Sequence, residues 1–372
     1  MAPPPPPPMM PALVDDVIEE VLTRIPPDDL ARLVRASCLC KAWRRVACDS
    51  LFRARFPELL GPAPPLLGVI CNLGVGGAAR FVPTSPFRLS RPDLTGWLAL
   101  DARHGRVLLA SLAQGRVPVP GRVVVWDPVA AERVDLPPLP RHLELQASPW
   151  SSWNAAVLCA TARDHLDCRR GPFLAALVAV NADSVFALLY SSAAAGWSPP
   201  TYLFEPVDLD CSARSVLVDN AVYFMLQRGA GILEYDLSSR ELAVIHLPLH
   251  DEYGRRIALM TVEGGNGLGF AVVQSSRLHL WSRVSGPDGG PGWTRTRVIE
   301  LNTLLPAAAL TITPYLVGFD NGSGICFLRM FNGMLFSVDL KSGQVKKVHE
   351  NHGCAISSVV PYTSFCTPGV QH

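Results

Sequence analysis

Residues 122–140 read RVVVWDPVAAERVDLPPLP. Val123, Val124 and Val125 are β-branched, and Trp126 and Asp127 close the run before a proline. A short turn follows, then a second β-prone run, then Leu-Pro. Pro and Asp interrupt both helices and ladders, so this is a strand, a turn and a strand. The same unit recurs. Residues 231–248 read GILEYDLSSRELAVIHLP, and residues 278–306 hold LHLWSRV, a Gly-rich turn and WTRTRVIELNTLLP. Residues 334–348 read MLFSVDLKSGQVKKV, and Ser184–Pro200 is a worn copy. The aromatic steps at Trp126, Tyr190, Tyr235, Trp281 and Phe336 fall roughly 45–65 residues apart. That is near the period of a four-stranded propeller blade. A small antiparallel sheet cannot bury both faces alone, whereas radial stacking buries them and shields the edges. The body therefore reads as an irregular β-propeller of five to seven blades. A long β-sandwich or two small β domains is the alternative. Ring closure predicts that Val359–Tyr362 pairs near Leu67–Cys71. The Trp and Tyr steps are read as blade packing.

Upstream the periodicity changes. Between Asp15 and Ile25 the apolar residues are Val17, Ile18, Val21, Leu22 and Ile25, one face of a helix. Asp15 and Asp16 suit the positive helix start, and Arg24 suits its end. Pro26–Pro27 stops the helix. Asp28 or Asp29 can cap a second helix carrying Leu30, Leu33 and Val34. Leu39, Trp43 and Val46 mark a third, with Arg44 and Arg45 outward, and Leu51, Phe52 and Phe56 suggest one more. So short a segment rarely buries enough apolar surface to stand alone, so its stripe has to be covered by the body or by a partner.

The ordered residues of this segment resemble the F-box. Leu13 matches the opening Leu of that pattern, Val21 and Leu22 its Ile-Leu, Ile25 and Pro26 its second Leu-Pro, and Leu30 the following Leu. Leu39, Cys40, Lys41 and Trp43 match Val-Cys-Lys-x-Trp. Two departures stand out. Val14 replaces the usual proline, and the run from Leu30 to Cys40 is about one helical turn longer than the commonest form. The longer form is similar to plant F-box proteins of the grass type, and the β body resembles their F-box-associated propellers. The resemblance implies a mainly β chain with an N-terminal α-helical module. A Pro-rich tail would span 1–11, the F-box 12–57, a Pro-rich linker 58–65, the propeller 66–365 and a C-terminal tail 366–372. It implies a non-catalytic substrate receptor of a Skp–cullin–F-box ubiquitin ligase. Leu13, Val21, Leu22, Ile25, Pro26, Leu30, Leu39, Cys40, Lys41 and Trp43 would meet a Skp-family adaptor, and the propeller would hold an unknown target protein. An interaction scaffold outside a ligase and a propeller enzyme are the two alternatives. The scaffold reading rests on Val14. The enzyme reading requires a polar constellation at the ring axis.

Composition excludes other classes. The chain has 372 residues, 49% hydrophobic and only 17% charged, which describes core-rich globular domains. A formal net charge of +1 offers no footprint for nucleic acid or an anionic membrane. Arg44, Arg45, Arg53 and Arg55 read as a solvated helix face. The proline run is not a signal peptide, and no apolar run approaches the ~20 residues needed to span a bilayer. The expected location is the cytoplasm, the nucleus or both. The ten cysteines are irregularly spaced and read as reduced thiols. Cys159, His165 and Cys168 are the one metal-like cluster, and they lack a fourth partner. Gly264–Gly269 fails the dinucleotide-binding spacing by one position, and His104 reads as a turn histidine. Asn321–Ser323 is a glycosylation sequon that an intracellular chain would not use. No cofactor is expected.

Overall fold

The computed structural model describes residues 14–25, 41–48, 66–74, 78–85, 87–89, 93–111, 122–140, 152–160, 171–181, 183–248, 257–262, 267–285, 291–306, 310, 312–350 and 355–364. The Pro-rich tail, the second and fourth expected helices, the linker and the C-terminal tail lie outside them.

Among the described residues the body folds into six antiparallel sheets arranged as propeller blades. Blade II is Trp97–Arg103, Arg106–Ser111, Val123–Asp127 and Glu132–Asp135. Blade III is Ser152–Cys159, Phe173–Val180 and Val185–Ser191, with Gly196–Trp197 and Thr201–Leu203 both on its outer edge. Blade IV is Val216–Val218, Ala221–Met225, Gly231–Asp236 and Leu242–His246. Blade V is Ile257–Thr261, Leu268–Gln274, Arg277–Ser285 and Pro291–Glu300. Blade VI is Tyr315–Asp320, Ile325–Arg329, Met334–Asp339 and Val345–Glu350. Blade I is composite. Its inner strand, Ile356–Thr363, comes from the far end of the chain, and Leu66–Leu73, Ala78–Pro83 and Leu94–Thr95 complete it. Ile70 pairs with Val360 and Cys71 with Val359, the closure anticipated from the sequence.

Burial explains the strand compositions. The second strands of blades III and V, FLAALVAV and LGFAVVQ, are buried nearly throughout because neighbouring blades cover both faces. Outer strands such as Glu132–Asp135 are wholly exposed and carry charge, which blunts their edges. Six apolar clusters fill the spaces between neighbouring blades, including the seam between VI and I. The core is thus distributed around the ring.

The aromatic steps share one structural address. Trp126, Tyr190, Tyr235, Trp281 and Phe336 all lie on the third strand of their blades. The equivalent residue of blade I is Phe81, paired with Ile70 and packed edge-on to Phe87. The acid that follows has its own task. Asp127 Oδ1 accepts from Val129 N and Ala130 N, and Asp236 Oδ1 from Ser238 N and Ser239 N. Asp339 Oδ1 does the same for Lys341 N and Ser342 N. Each is an Asx turn that reverses the chain between strands three and four. Leu136 and Leu305, from the Leu-Pro steps, are buried anchors beyond the fourth strands.

The two faces of the ring differ. Turns from strand one to two and from three to four share one face, as Leu237 N to Asn220 O and Leu340 N to Gly324 O indicate. This turn face is tight: His104, Ala131, Ala195, Asp219 and Arg240 all take positive φ there. Turns from strand two to three share the other face with the blade-to-blade connectors, as Gln227 N to Asp208 O and Leu301 N to Ser276 O indicate. Leu66, where the chain enters the ring, lies on the turn face, because it opens a second strand.

Candidate functional site

Two places carry the functional expectations: the helical module and the ring axis. Helix α1 is Asp15–Thr23 and helix α2 is Lys41–Cys48. Ile18, Leu22, Ile25 and Val46 are buried together, with Ala42 and Trp43 packed against them. Leu22 and Ile25 therefore join the two helices. Val21 lies on the flank of that buried stripe at 39% exposure, beside Val14 and Val17 at 66% and 42%. Trp43 is half-buried, and Lys41 opens α2. Leu13, Pro26, Leu30, Leu39 and Cys40, and the side chain of Lys41, lie outside the described residues. Arg45 Nη2 bonds both oxygens of Asp15 at 2.7 and 2.6 Å, pinning the start of α1 to α2. This pair is exposed and contributes no more than about 1 kcal/mol.

Val14 is the N-cap of α1, with φ −68° and ψ 146° and no side-chain capping bond. Its φ is the value a proline ring imposes. The departure from the family pattern thus leaves the backbone where the usual proline would set it.

The axis is polar. Asp101, on the first strand of blade II, is fully buried. Its Oδ1 accepts from Ala102 N at 2.9 Å and Arg214 Nε at 3.1 Å. Its Oδ2 accepts from Val157 N at 3.0 Å and is ion-paired with Arg103 Nη1 at 2.8 Å. Arg214 leads into blade IV and reaches the carbonyls of Ala102 in blade II and Phe319 in blade VI. Arg103 reaches Ser215 in blade IV and the Val157 carbonyl in blade III. Burial lowers Arg103, which Asp101 holds up, to about 10, so the guanidinium is charged at neutral pH. Asn72 ties blade I to blade II, with Nδ2 on Ala99 O and Oδ1 accepting from Ala99 N. Asn154 Nδ2 spans from blade III to the carbonyls of Asp210 and Ala213.

This arrangement is a crosslink. Three donors and a second ion-paired guanidinium surround the Asp101 carboxylate, from blades II and III and the entry to blade IV. A cavity of about 30 Å³ beside Arg214, Ser215 and Asn321 has room for only a water or two. Among the described residues no group of three or more His, Cys, Asp or Glu side chains converges on a metal-sized site. Cys159 ends a strand half-buried, while His165 and Cys168 lie outside the described residues. His104 occupies a tight turn at φ 52°. Gly267 and Gly269 flank the start of a blade V strand, where a Cβ on Gly269 would meet Trp281 O at 2.6 Å. Neither described helix is long and apolar enough to cross a membrane.

The sequence could not announce the axis. Asp101 and Arg214 are separated by more than a hundred residues. Only the buried acid in an otherwise apolar strand, WLALDAR, hinted at it.

Comparison with known proteins bears on both regions. Residues 10–55 match the F-box domain. Residues 99–368 match the family described as F-box protein AT5G49610-like, beta-propeller. No curated protein matches the chain. Among solved structures, a nidogen/laminin complex is similar at 12% identity and TM-score 0.47, over 80% of this chain and 99% of that one. A mutant Aleuria aurantia lectin in complex with Fucα1-6GlcNAc is similar at 12% identity and TM-score 0.45, over 84% of this chain and all of that one.

Proposed function

Because the chain belongs to the family of F-box proteins with an AT5G49610-like β-propeller, we propose that it is the substrate-recognition subunit of a Skp–cullin–F-box ubiquitin ligase. The observation that carries this reading is the pairing, in one chain, of an F-box segment with a closed ring whose axis is locked by structural ion pairs. The helical module docks a Skp-family adaptor. Val21 and Val17 supply exposed apolar contact, and Leu22 and Ile25 hold the helices that present them. The ring holds the target. Rate enhancement is by proximity: tethering raises the effective concentration of target lysines at the ubiquitin-charged enzyme. The chain itself forms and breaks no bond.

A scaffold outside a ligase is the second reading, and the feature that keeps it open is the exposed Val14 side chain in place of the family's proline. The experiment that separates them is reconstitution of the chain with a Skp-family adaptor, a cullin ligase and charged ubiquitin carrier. The receptor reading predicts ubiquitin transfer to proteins held by the ring, the chain itself included. Adaptor binding without transfer would favour the scaffold. The cytoplasm, the nucleus or both is the proposed location.

A further inference from the structure

Among the described residues the two most exposed large apolar side chains lie on the same face of the ring, on opposite blades. Phe204 is 78% exposed and follows the outer strand of blade III. Phe331, 71% exposed, lies in the turn between the second and third strands of blade VI. Both positions are on the connector face, opposite the face where the chain enters the ring at Leu66. The turn face carries Asx-capped polar turns in their place.

Phe204 is not isolated. Its ring stacks on Tyr202 at 6.2 Å and 15°. Tyr202 is itself 38% exposed and leans on Phe186 of the neighbouring strand. The aromatic pair therefore has a rigid foot in the blade. Acids adjoin it. Glu205 and Asp208 follow on the same connector, both exposed. Asp183, also exposed, lies in the turn that leads into Val185, the residue paired with Leu203. Arg228, on the adjoining turn of blade IV, marks the edge of the patch.

A stacked aromatic pair with carboxylates on the adjoining connector and turn has one complementary chemistry. Its ring faces attract a flat or compact cation, and the acids neutralise it. An exposed phenylalanine on a fixed base is the kind of anchor around which contact energy concentrates. We propose that Tyr202, Phe204, Glu205, Asp208 and Asp183 form the surface that docks an arginine- or lysine-bearing segment of the target protein. This rests on the receptor reading and gives it a face, an anchor and a partner charge.

The test uses the full chain purified with its adaptor. Short fluorescent peptides serve as probes: alternating arginine and glycine, alternating glutamate and glycine, and alternating serine and glycine. Anisotropy is read at low and raised salt. The arginine peptide binds best and weakens with salt. Phe204→Ala and Glu205→Lys each weaken it by about tenfold or more. Both positions are exposed, so thermal melting and adaptor binding stay unchanged in the two variants. Binding of the arginine peptide no tighter than the serine one overturns the proposal, as does full binding by Phe204→Ala. A preference for the glutamate peptide overturns it as well. Loss of adaptor binding by the intact chain counts instead against the receptor reading and leaves the peptide result readable.

Discussion

Replacing Asp101 by Asn tests the physics of the ring directly. The side chain keeps its shape but loses its charge, and its amide presents hydrogens where Asp101 now accepts them. Arg103 and Arg214 are 11% and 14% exposed, so neither recovers its hydration. Their contacts to Asp101 are 2.8 and 3.1 Å. At the effective dielectric of a protein site each contact is a gross attraction of about 4 kcal/mol or more. Desolvation offsets much of that in the intact triad, but removing one partner leaves two buried cations uncompensated. The expected loss is about 3–5 kcal/mol. At roughly 2–4 °C per kcal/mol for a domain of this size, melting should fall by about 6–20 °C. Calorimetry of the full chain measures the fall, and a cycle with Arg214→Gln apportions it. The arginine deletion should cost less in the Asn background, because it removes a cation that has lost its partner. A drop under about 1 kcal/mol would refute the claim that this triad locks the axis.

Three further outcomes follow from particular residues. A chain ending before Ile356 loses the inner strand of blade I, leaving Leu66–Leu73 unpaired on that side; it should be insoluble or lose its cooperative melt, and a normal melt would contradict the closure. Val14→Pro fits the existing φ of −68° and should stabilise α1 by about 0.4–1 kcal/mol through the unfolded chain, read as a tighter adaptor complex; weaker binding would show that Val14 has a contact of its own. Burial pushes the Cys71 and Cys326 thiols from 9.0 up to about 12. Their contribution to stability is complete below pH 9 and is lost as pH rises toward 12, because only the unfolded thiols ionise in that window. Denaturation midpoints under reducing conditions should fall above about pH 9, and less steeply in Cys71→Ala and Cys326→Ala; equal slopes would refute the burial argument.

Much of the fold could be read from the sequence because propeller blades repeat their needs. A third strand wants an aromatic residue between blades, and the turn after it wants an acid whose oxygen caps two amides. Five of the aromatic steps were visible at Trp126, Tyr190, Tyr235, Trp281 and Phe336, with the capping acid after Trp126, Tyr235 and Phe336. The sixth, Phe81, was hidden because blade I is assembled from both ends of the ring and lacks the Leu-Pro ending. The α1 stripe was legible as a period of 3.6, yet the period alone does not divide it. Leu22 and Val21 are neighbours in sequence, one in the core and one facing out. The axis was least legible. Each of Asp101, Arg103 and Arg214 looks ordinary in its own strand or connector, and their meaning lies in pairings across the ring. The docking patch has the same character, since the turn of Asp183 and the connector of Glu205 are neighbours only through the pairing of Val185 with Leu203.

The central claim is that this chain joins a ligase through its helical module. Its most direct test is binding of a Skp-family adaptor to the full chain, beside a Val17→Asp/Val21→Asp variant and a Leu22→Ala variant. The surface variant keeps the buried cluster of Ile18, Leu22, Ile25 and Val46, so its helical signal and melting stay intact. The account predicts a tight complex with the natural chain, its loss in the folded surface variant, and combined loss of helix and binding in Leu22→Ala. A natural chain that folds and yet leaves the adaptor unbound would contradict it.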